Sequence, residues 1–266
     1  MADPHVCAPI DANGNLASDG TRTFEWDARD QLNSLTTGTL SVDYAYDGLR
    51  RRIGVIHGSS GVPTSSERYL WCGGFECETR DTSSGTALTR RFRDGYQAST
   101  DNRFTARDHL ASTRSIQDDV ANVLGRTDFD AWGRPTLSGS EQALTGFGGL
   151  GDSGIGSLWL AHHRAYDPAL GRWISRDPLG KLDPLDGVQV GVSDGYDYVA
   201  NRPIGLVDPL GLFAQVPLVV CVLRAVTATA ILAGLLSPAP CQKCGQAEDP
   251  QYCQAVRKLC IAKCTE

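Results

Sequence analysis

One short phrase recurs along this chain: an aromatic or aliphatic residue, then Asp, then a turn that often carries Gly and a basic or amide residue. Asp favours turns because its carboxylate accepts hydrogen bonds from the backbone amides that follow, and Gly takes the positive φ that other residues avoid. The first three copies are spaced like strand–turn–strand elements, so the phrase predicts an array of units that pack against their neighbours. The copies centre on five aspartates: Asp11, Asp27, Asp47, Asp130 and Asp167.

The remaining sequence before residue 212 also predicts β-strands. Polar and apolar residues alternate between turn signals over residues 10–57, and residues 69–72, 76–80 and 87–92 continue that pattern. Glycine, at 29 of 266 residues, suits a fold with many tight turns. No amphipathic helical period stands out before about residue 212. We therefore predict that this part of the chain is mainly β.

Charge and side-chain chemistry exclude several function classes. The net charge of −6 argues against nucleic acid as the main partner. No basic start followed by an apolar run marks a signal peptide at the N-terminus. His162 and His163 would point to opposite faces of a strand, so we expect no paired metal site from them. The sequence contains no Ser/His/Asp or Cys/His pattern, and we expect no cofactor.

The sequence changes character at Phe213. Residues 216–236 are apolar and long enough to cross a bilayer. Arg224 near the middle of this run would cost about 2.5–3.5 kcal/mol in a membrane, which favours a buried or interfacial helix over a membrane span. Residues 237–250 have the composition of a linker, and residues 251–264 predict a short helix.

Five of the nine cysteines crowd this tail. Three of them share one face of the predicted helix and the other two form a CxxC pair, so disulfides and a zinc site both remain open. Disulfides are favoured because no His lies nearby and the spacing matches no common zinc finger. Cys72 and Cys77, which flank Gly73 and Gly74, either bridge a hairpin or stay unpaired. The tail cysteines are Cys241, Cys244, Cys253, Cys260 and Cys264.

Four longer segments occur together in the first 212 residues: "DANGNLASDGTRTFEWDAR", "RDHLASTR" with "DFDAWGRP", "RAYDPALGRWISRDPLG" and "NRPIGLVDPLGL". Together they resemble the Rhs family (rearrangement hotspot, or YD-repeat, proteins), in particular its repeat-associated core. The resemblance covers most of residues 10–212. It implies that residues 1–212 are a ribbon of β-hairpins forming part of a spiral shell. Residues 213–266 then correspond to the tail that varies between family members, here a small α-helical, cysteine-rich segment.

The resemblance also implies a self-cleavage site at the bond between Leu212 and Phe213. In the family, two aspartates cleave this bond, and two carboxylates that share a proton can act as base and acid. The matching residues are Asp177 and Asp208, with Arg172 at a basic position that anchors backbone or carboxylate. The motif before the bond is complete: Pro203, Asp208, Pro209, Gly211 and Leu212.

Without the resemblance, both aspartates are turn residues, because Asp-Pro-x-Gly is a turn signal. The segment between Asp177 and Asp208 is also longer than the family pattern. Both a single-turnover aspartic autoprotease and a scaffold that does not cleave therefore remain open.

The resemblance implies a structural shell that encloses its own C-terminal segment in bacterial toxin delivery and intercellular competition, and hence a secreted or delivered protein. Because about 200 residues are too few to close such a shell, a further Rhs shell chain is a possible partner. Three alternatives remain: the tail is itself a small toxin, the run 216–236 interacts with membranes, or the chain is a vestigial, inactive product.

Overall fold

The computed structural model describes residues 9–178, 195–212 and Ala214. The chain divides into two units, residues 1–215 and 216–266, and every described residue belongs to the first. The helices expected at 216–236 and 251–264, the linker between them and the tail cysteines lie outside the described residues.

Twelve strands form one antiparallel sheet in which each strand pairs with the next along the chain. This confirms the prediction of a mainly β fold. The strands predicted at residues 69–72, 76–80 and 87–92 fall in the fifth, sixth and seventh of them. The strands are β1 Arg22–Trp26, β2 Leu32–Thr37, β3 Leu40–Tyr46, β4 Arg52–Ser59, β5 Val62–Cys72, β6 Phe75–Asp81, β7 Ala87–Phe92, β8 Gly95–Ala98, β9 Asp101–Arg107, β10 Thr113–Gln117, β11 Val123–Phe129 and β12 Pro135–Gly139.

A second, four-stranded antiparallel sheet follows, again in chain order. Its strands are β13 Gly151–Asp152, β14 Trp159–Leu160, β15 Ala165–Asp167 and β16 Arg172–Trp173. Helical structure among the described residues is limited to two 3-10 turns, Phe147–Gly149 and Val199–Asn201. No helix in the described part of the chain is long and apolar enough to cross a membrane.

The recurring Asp builds the same turn at four of its five copies, and Asp167 is the exception. At Asp47, Oδ1 accepts hydrogen bonds from the amides of Leu49 (2.9 Å) and Arg51 (3.0 Å), while the Asp47 amide donates to the Arg51 carbonyl. Arg50 takes a positive φ of 65°, which the hydrogen bonds around it stabilise. Among the described residues, six aspartates share this pattern: Asp11, Asp27, Asp47, Asp108, Asp118 and Asp130. Two of the six, Asp108 and Asp118, were not part of the predicted repeat.

The aromatic residue before the Asp ties its turn to the preceding strand. The Tyr46 hydroxyl donates to the Leu32 carbonyl (2.8 Å), and the Trp26 indole donates to the Leu16 carbonyl (2.8 Å). Each of these carbonyls belongs to the residue five positions after the preceding repeat Asp. The phrase therefore specifies both a turn and its contact with the previous unit.

The core lies between the first four strands of the large sheet and the small sheet. Leu35 and Val42 are fully buried there and pack in one cluster with Leu160 of the small sheet and Leu158 just before β14. Arg22 of β1 crosses the same junction and forms an ion pair with the buried carboxylate of Asp167. Asp167 also accepts the amides of two residues that follow it, as expected for a turn. The small sheet is thus fixed against the repeat array.

Replacing Tyr46 by Phe removes the donor for the Leu32 carbonyl while keeping the ring. We expect the free energy of unfolding to fall by about 1–2 kcal/mol, because a backbone acceptor loses its partner. Urea unfolding measures this change. Tyr69→Phe is the matched control, since the Tyr69 hydroxyl makes no hydrogen bond to the part of the chain that the structure describes. A loss as large as that of Tyr46→Phe would contradict the assigned role.

Candidate functional site

Arg164 is the centre of a buried charged cluster. It immediately precedes β15, and only 3% of its side chain is exposed. Its Nη2 lies 3.1 Å from Oδ2 of Asp177 and 3.1 Å from Oδ2 of Asp208. One nitrogen atom therefore holds both carboxylates, although the two aspartates are well separated in the sequence. Because each Oδ2 lies 3.1 Å from Nη2, the two Oδ2 atoms are separated by at most twice that distance.

The same guanidinium also binds the backbone around the two aspartates. Its Nε donates to the Gly211 carbonyl (2.5 Å) and its Nη1 to the Gly195 carbonyl (3.4 Å). The Asp177 amide donates to that Gly195 carbonyl as well (3.0 Å). The planar fork of Arg suits such multiple contacts, which Lys could not reproduce.

Asp208 forms a turn of its own at the end of the described chain. Its Oδ1 accepts the amides of Gly211 (2.9 Å) and Leu212 (3.0 Å), and its side chain is 2% exposed. Gly211 has φ of +73°, and a Cβ there would lie 3.1 Å from both Ala161 and Arg164. The Gly of the motif is required for both reasons, because any side chain would be strained and crowded.

An aromatic cluster surrounds the charges. The Arg164 guanidinium stacks over the Trp173 ring at 4.4 Å, and Tyr198 packs against Trp173 at 5.5 Å. Burial lowers the pKa of Arg164, while the charges of Asp177 and Asp208 act in the opposite direction. Burial also raises the pKa of Tyr198, with a further contribution from Asp208. The carboxylates thus face a cation in a largely water-excluded site, where charge interactions are strong.

The structure places the other predicted residues around this cluster. Arg172 in β16 is exposed, with its guanidinium 5.8 Å from the centre of the Tyr196 ring. Pro203 is buried and Pro209 is exposed, one on each side of Asp208 along the chain. Leu212 is partly buried, and Phe213 lies outside the described residues. The assigned roles of these residues stay predictions.

Sequence reasoning missed Arg164, although a signal was present. Arg164 and Tyr166 are two positions apart in extended backbone and therefore share a face. Tyr166 is the aromatic residue of the last copy of the phrase, and the structure buries it fully. A basic residue at a core-facing position requires a buried acidic partner. The spacing of Arg164 and Tyr166 therefore indicates a buried ion pair.

The adjacent histidines do not point to opposite faces, so that expectation is wrong. His162 and His163 lie between β14 and β15 rather than within a strand, and their rings meet edge to face at 4.6 Å. The His163 amide donates to the Leu210 carbonyl (2.9 Å). Burial, with smaller contributions from His162 and nearby Arg50 and Arg164, lowers the pKa of His163 to about 4.

A cavity of about 1080 Å³ opens next to this cluster. Strands of the large sheet contribute Tyr44, Tyr69 and Trp71, and the opposite side includes His162 and Leu210. Within the described part of the chain, no group of three or more His, Cys, Asp or Glu side chains is arranged to hold a metal ion.

Comparisons with known proteins match most of the described residues. The probable deoxyribonuclease RhsA of Dickeya dadantii is 32% identical over 207 residues, which cover 71% of this chain and 14% of that protein. The double-stranded DNA deaminase toxin A of Burkholderia cenocepacia is 27% identical over 245 residues, covering 76% of this chain and 16% of that protein. No protein-family model matches the chain.

Among solved structures, the crystal structure of TcdB2-TccC3-Cdc42 superposes with a TM-score of 0.61 at 19% identity, covering 76% of this chain and 11% of that one. At this identity the likeness establishes the fold. The two curated relatives extend far beyond the matched region, since this chain spans 16% or less of their length.

The fold and these relatives together define the class. The chain belongs to the Rhs family, as the resemblance predicted. Its relatives are toxins and nucleases, so it is an Rhs-type, toxin-related protein.

Replacing Arg164 by Met tests how much the charged cluster depends on its cation. We expect unfolding to become about 3–5 kcal/mol easier, because Asp208 would remain buried without its partner. Thermal or urea unfolding measures this loss. Arg126→Met is the matched control on an exposed arginine of β11, with an expected change below about 0.5 kcal/mol. Equal losses in both variants would contradict the central position of Arg164.

The lowered pKa of His163 predicts a pH dependence. Above its ordinary pKa of 6.5, His163 is neutral in both the folded and the unfolded chain. As the pH falls from 6.5 towards 4, the unfolded chain takes up a proton that the folded chain does not, so stability is lost across that range. His163→Gln should flatten this part of a plot of urea midpoint against pH. An unchanged slope would show that other groups cause it.

Proposed function

We propose that residues 1–212 form part of an Rhs shell around the segment that follows them, and that one aspartic self-cleavage between Leu212 and Phe213 separates the two during toxin delivery. The observation that carries this proposal is the convergence of Asp177 and Asp208 on Arg164, directly beside the turn that leads to Leu212. The partners would be the protein's own segment from Phe213 onward and a further Rhs shell chain.

The backbone near the proposed cut is unusually well fixed, which favours a reaction there. Arg164 holds the Gly211 carbonyl, Asp208 holds the amides of Gly211 and Leu212, and His163 holds the Leu210 carbonyl. The rate of a cleavage reaction is raised when the reacting groups are already oriented, because less orientational freedom is then lost in reaching the transition state. Each of these contacts lies within three residues of the scissile bond.

In the proposed reaction, water attacks the Leu212 carbonyl carbon. One carboxylate accepts a proton from this water, and the other, in its protonated form, donates a proton to the Phe213 nitrogen as the peptide bond breaks. The products are a carboxylate on Leu212 and an amino group on Phe213. Arg164 is a positioning residue in this scheme, because its Nη2 holds both carboxylates.

A scaffold that does not cleave is the second candidate, and a specific observation favours it. Asp208 uses Oδ1 as a turn acceptor, as the repeat aspartates do, and uses Oδ2 in an ion pair. Both oxygens therefore already have a structural use. In this case the cluster would stabilise the end of the shell without any chemistry.

Intact mass of the full chain distinguishes the two candidates. We expect the wild type to yield fragments that end at Leu212 and begin at Phe213. Asp208→Asn should stay full length, because the amide oxygen can still accept the two turn amides while the acid–base function is lost. Asp177→Asn should have the same effect.

Asp130→Asn is the control, because Oδ1 of Asp130 also accepts two turn amides but lies outside the charged cluster. It should cleave like the wild type. A full-length wild type would leave the scaffold as the function. Fragments from Asp208→Asn and Asp177→Asn would exclude an aspartic mechanism.

A further inference from the structure

The hairpin between β5 and β6 follows the repeat pattern except at one position. The Trp71 indole donates to the Arg52 carbonyl (2.8 Å), and Arg52 is the residue five positions after Asp47. Trp71 is thus the aromatic residue of another repeat. The residue that follows it, where each repeat turn has Asp, is Cys72.

The returning strand keeps the same irregularity. In the hairpin after Tyr46, the register passes from Arg52 to Gly54 and leaves out Ile53. In β6 the register passes from Glu76 to Glu78 and leaves out Cys77. Cys77 therefore occupies the bulge position of a repeat whose loop is one residue shorter.

Cys72 and Cys77 are joined by a disulfide, with their Cα atoms 5.6 Å apart. Only Gly73 and Gly74 separate Cys72 from Phe75, with which Cys72 pairs. No carboxylate lies in this two-residue loop to accept backbone amides. A covalent bond across the bulge thus takes the place of the Asp hydrogen bonds that close the other turns.

The disulfide is also accessible. Cys72 and both loop glycines are exposed, and Phe75 beside them is 60% exposed. Exchange requires a thiolate to reach one sulfur in line with the bond, so exposure of this kind favours reaction. By contrast, disulfides within a core are protected from small thiols.

We propose that the Cys72–Cys77 disulfide is a thiol-exchange site that holds one wall of the cavity beside the charged cluster. A small-molecule thiolate attacks one sulfur and forms a mixed disulfide, and the other cysteine leaves as a thiolate and takes up a proton. A second thiolate then attacks the reagent's sulfur in the mixed disulfide, and the remaining protein cysteine leaves as a thiolate that takes up a proton. In total, two thiols become one disulfide, and Cys72 and Cys77 become free thiols.

Reduction would loosen a part of the structure that faces the candidate site. Trp71 and Phe75 line the cavity from the hairpin, opposite His162 and Leu210. The Trp71 ring meets the His162 ring at 5.6 Å and the Arg51 guanidinium at 5.6 Å. Without the covalent link, the two-glycine loop keeps an exposed hydrogen bond of 3.5 Å from Arg51 to the Gly73 carbonyl. Glycine has the greatest conformational freedom to regain. This inference does not depend on self-cleavage.

Hydrogen exchange of the full-length protein, with and without dithiothreitol, tests the proposal. Trypsin releases residues 69–80 as one peptide that contains both cysteines, so alkylation before digestion reports their redox state directly. We expect this peptide to resist alkylation until dithiothreitol is added. Its amides should then exchange about tenfold faster or more, as expected for a local opening.

Two controls identify the cause. The hairpin around Asp47 should show the same exchange with and without dithiothreitol, because hydrogen bonds close it. The double variant Cys72→Ser, Cys77→Ser should exchange fast in both conditions at residues 69–80. Two results would overturn the proposal: alkylation of both cysteines before reduction, or equal exchange of this peptide in the oxidised and reduced protein.

Discussion

The fold depends on one local interaction, the acceptance of two backbone amides by one Asp oxygen. In a repeat turn the fourth residue takes a positive φ, and at Asp30, Arg50, Ala111 and Ala121 that residue is not Gly. Such a conformation costs about 1–2 kcal/mol per residue. Two hydrogen bonds to a charged acceptor offset this cost, since bonds of this kind are worth more than neutral ones. The turn is therefore specified by its carboxylate more than by a glycine.

The aromatic residue before the Asp gives the array its order. At Trp26, Tyr46 and Trp71, the polar atom of the side chain donates to a carbonyl just beyond the preceding turn, so these units are hydrogen-bonded to the units before them. Because this contact joins consecutive repeat units, it favours a sheet whose strands lie in chain order. The twelve strands of the large sheet have this order. The hairpin after Trp71 shows that the aromatic contact persists when a disulfide replaces the carboxylate.

These local rules explain which features the sequence could predict. The strands and the turns at Asp11, Asp27, Asp47 and Asp130 depend on nearby residues and were predicted. Asp108 and Asp118 form the same turn. They lack both the preceding aromatic residue and the glycine of the recurring phrase, so the phrase does not predict them. Arg164 was missed for another reason: its partners lie 13 and 44 positions away, and tertiary contacts such as the hydrogen bond from the His163 amide to the Leu210 carbonyl bring these segments together.

The turn also explains how a charged cluster can arise from a repeat. Oδ1 of the Asp is occupied by the turn amides, whereas Oδ2 remains available for a second partner. In the array this partner is local: Asn15 for Asp11, Arg51 for Asp47 and Asn122 for Asp118. At Asp208 the partner is Arg164, which also holds Asp177.

Asp208 differs from the repeat turns in two respects. Its Oδ1 accepts the amides of the third and fourth residues after it, whereas a repeat Asp such as Asp47 accepts those of the second and fourth. Its Oδ2 binds an arginine that also holds a second acid. In both cases the first oxygen fixes the chain and leaves the second oxygen for another partner. The precision that self-cleavage demands would then come from the same hydrogen bonds that build the sheet.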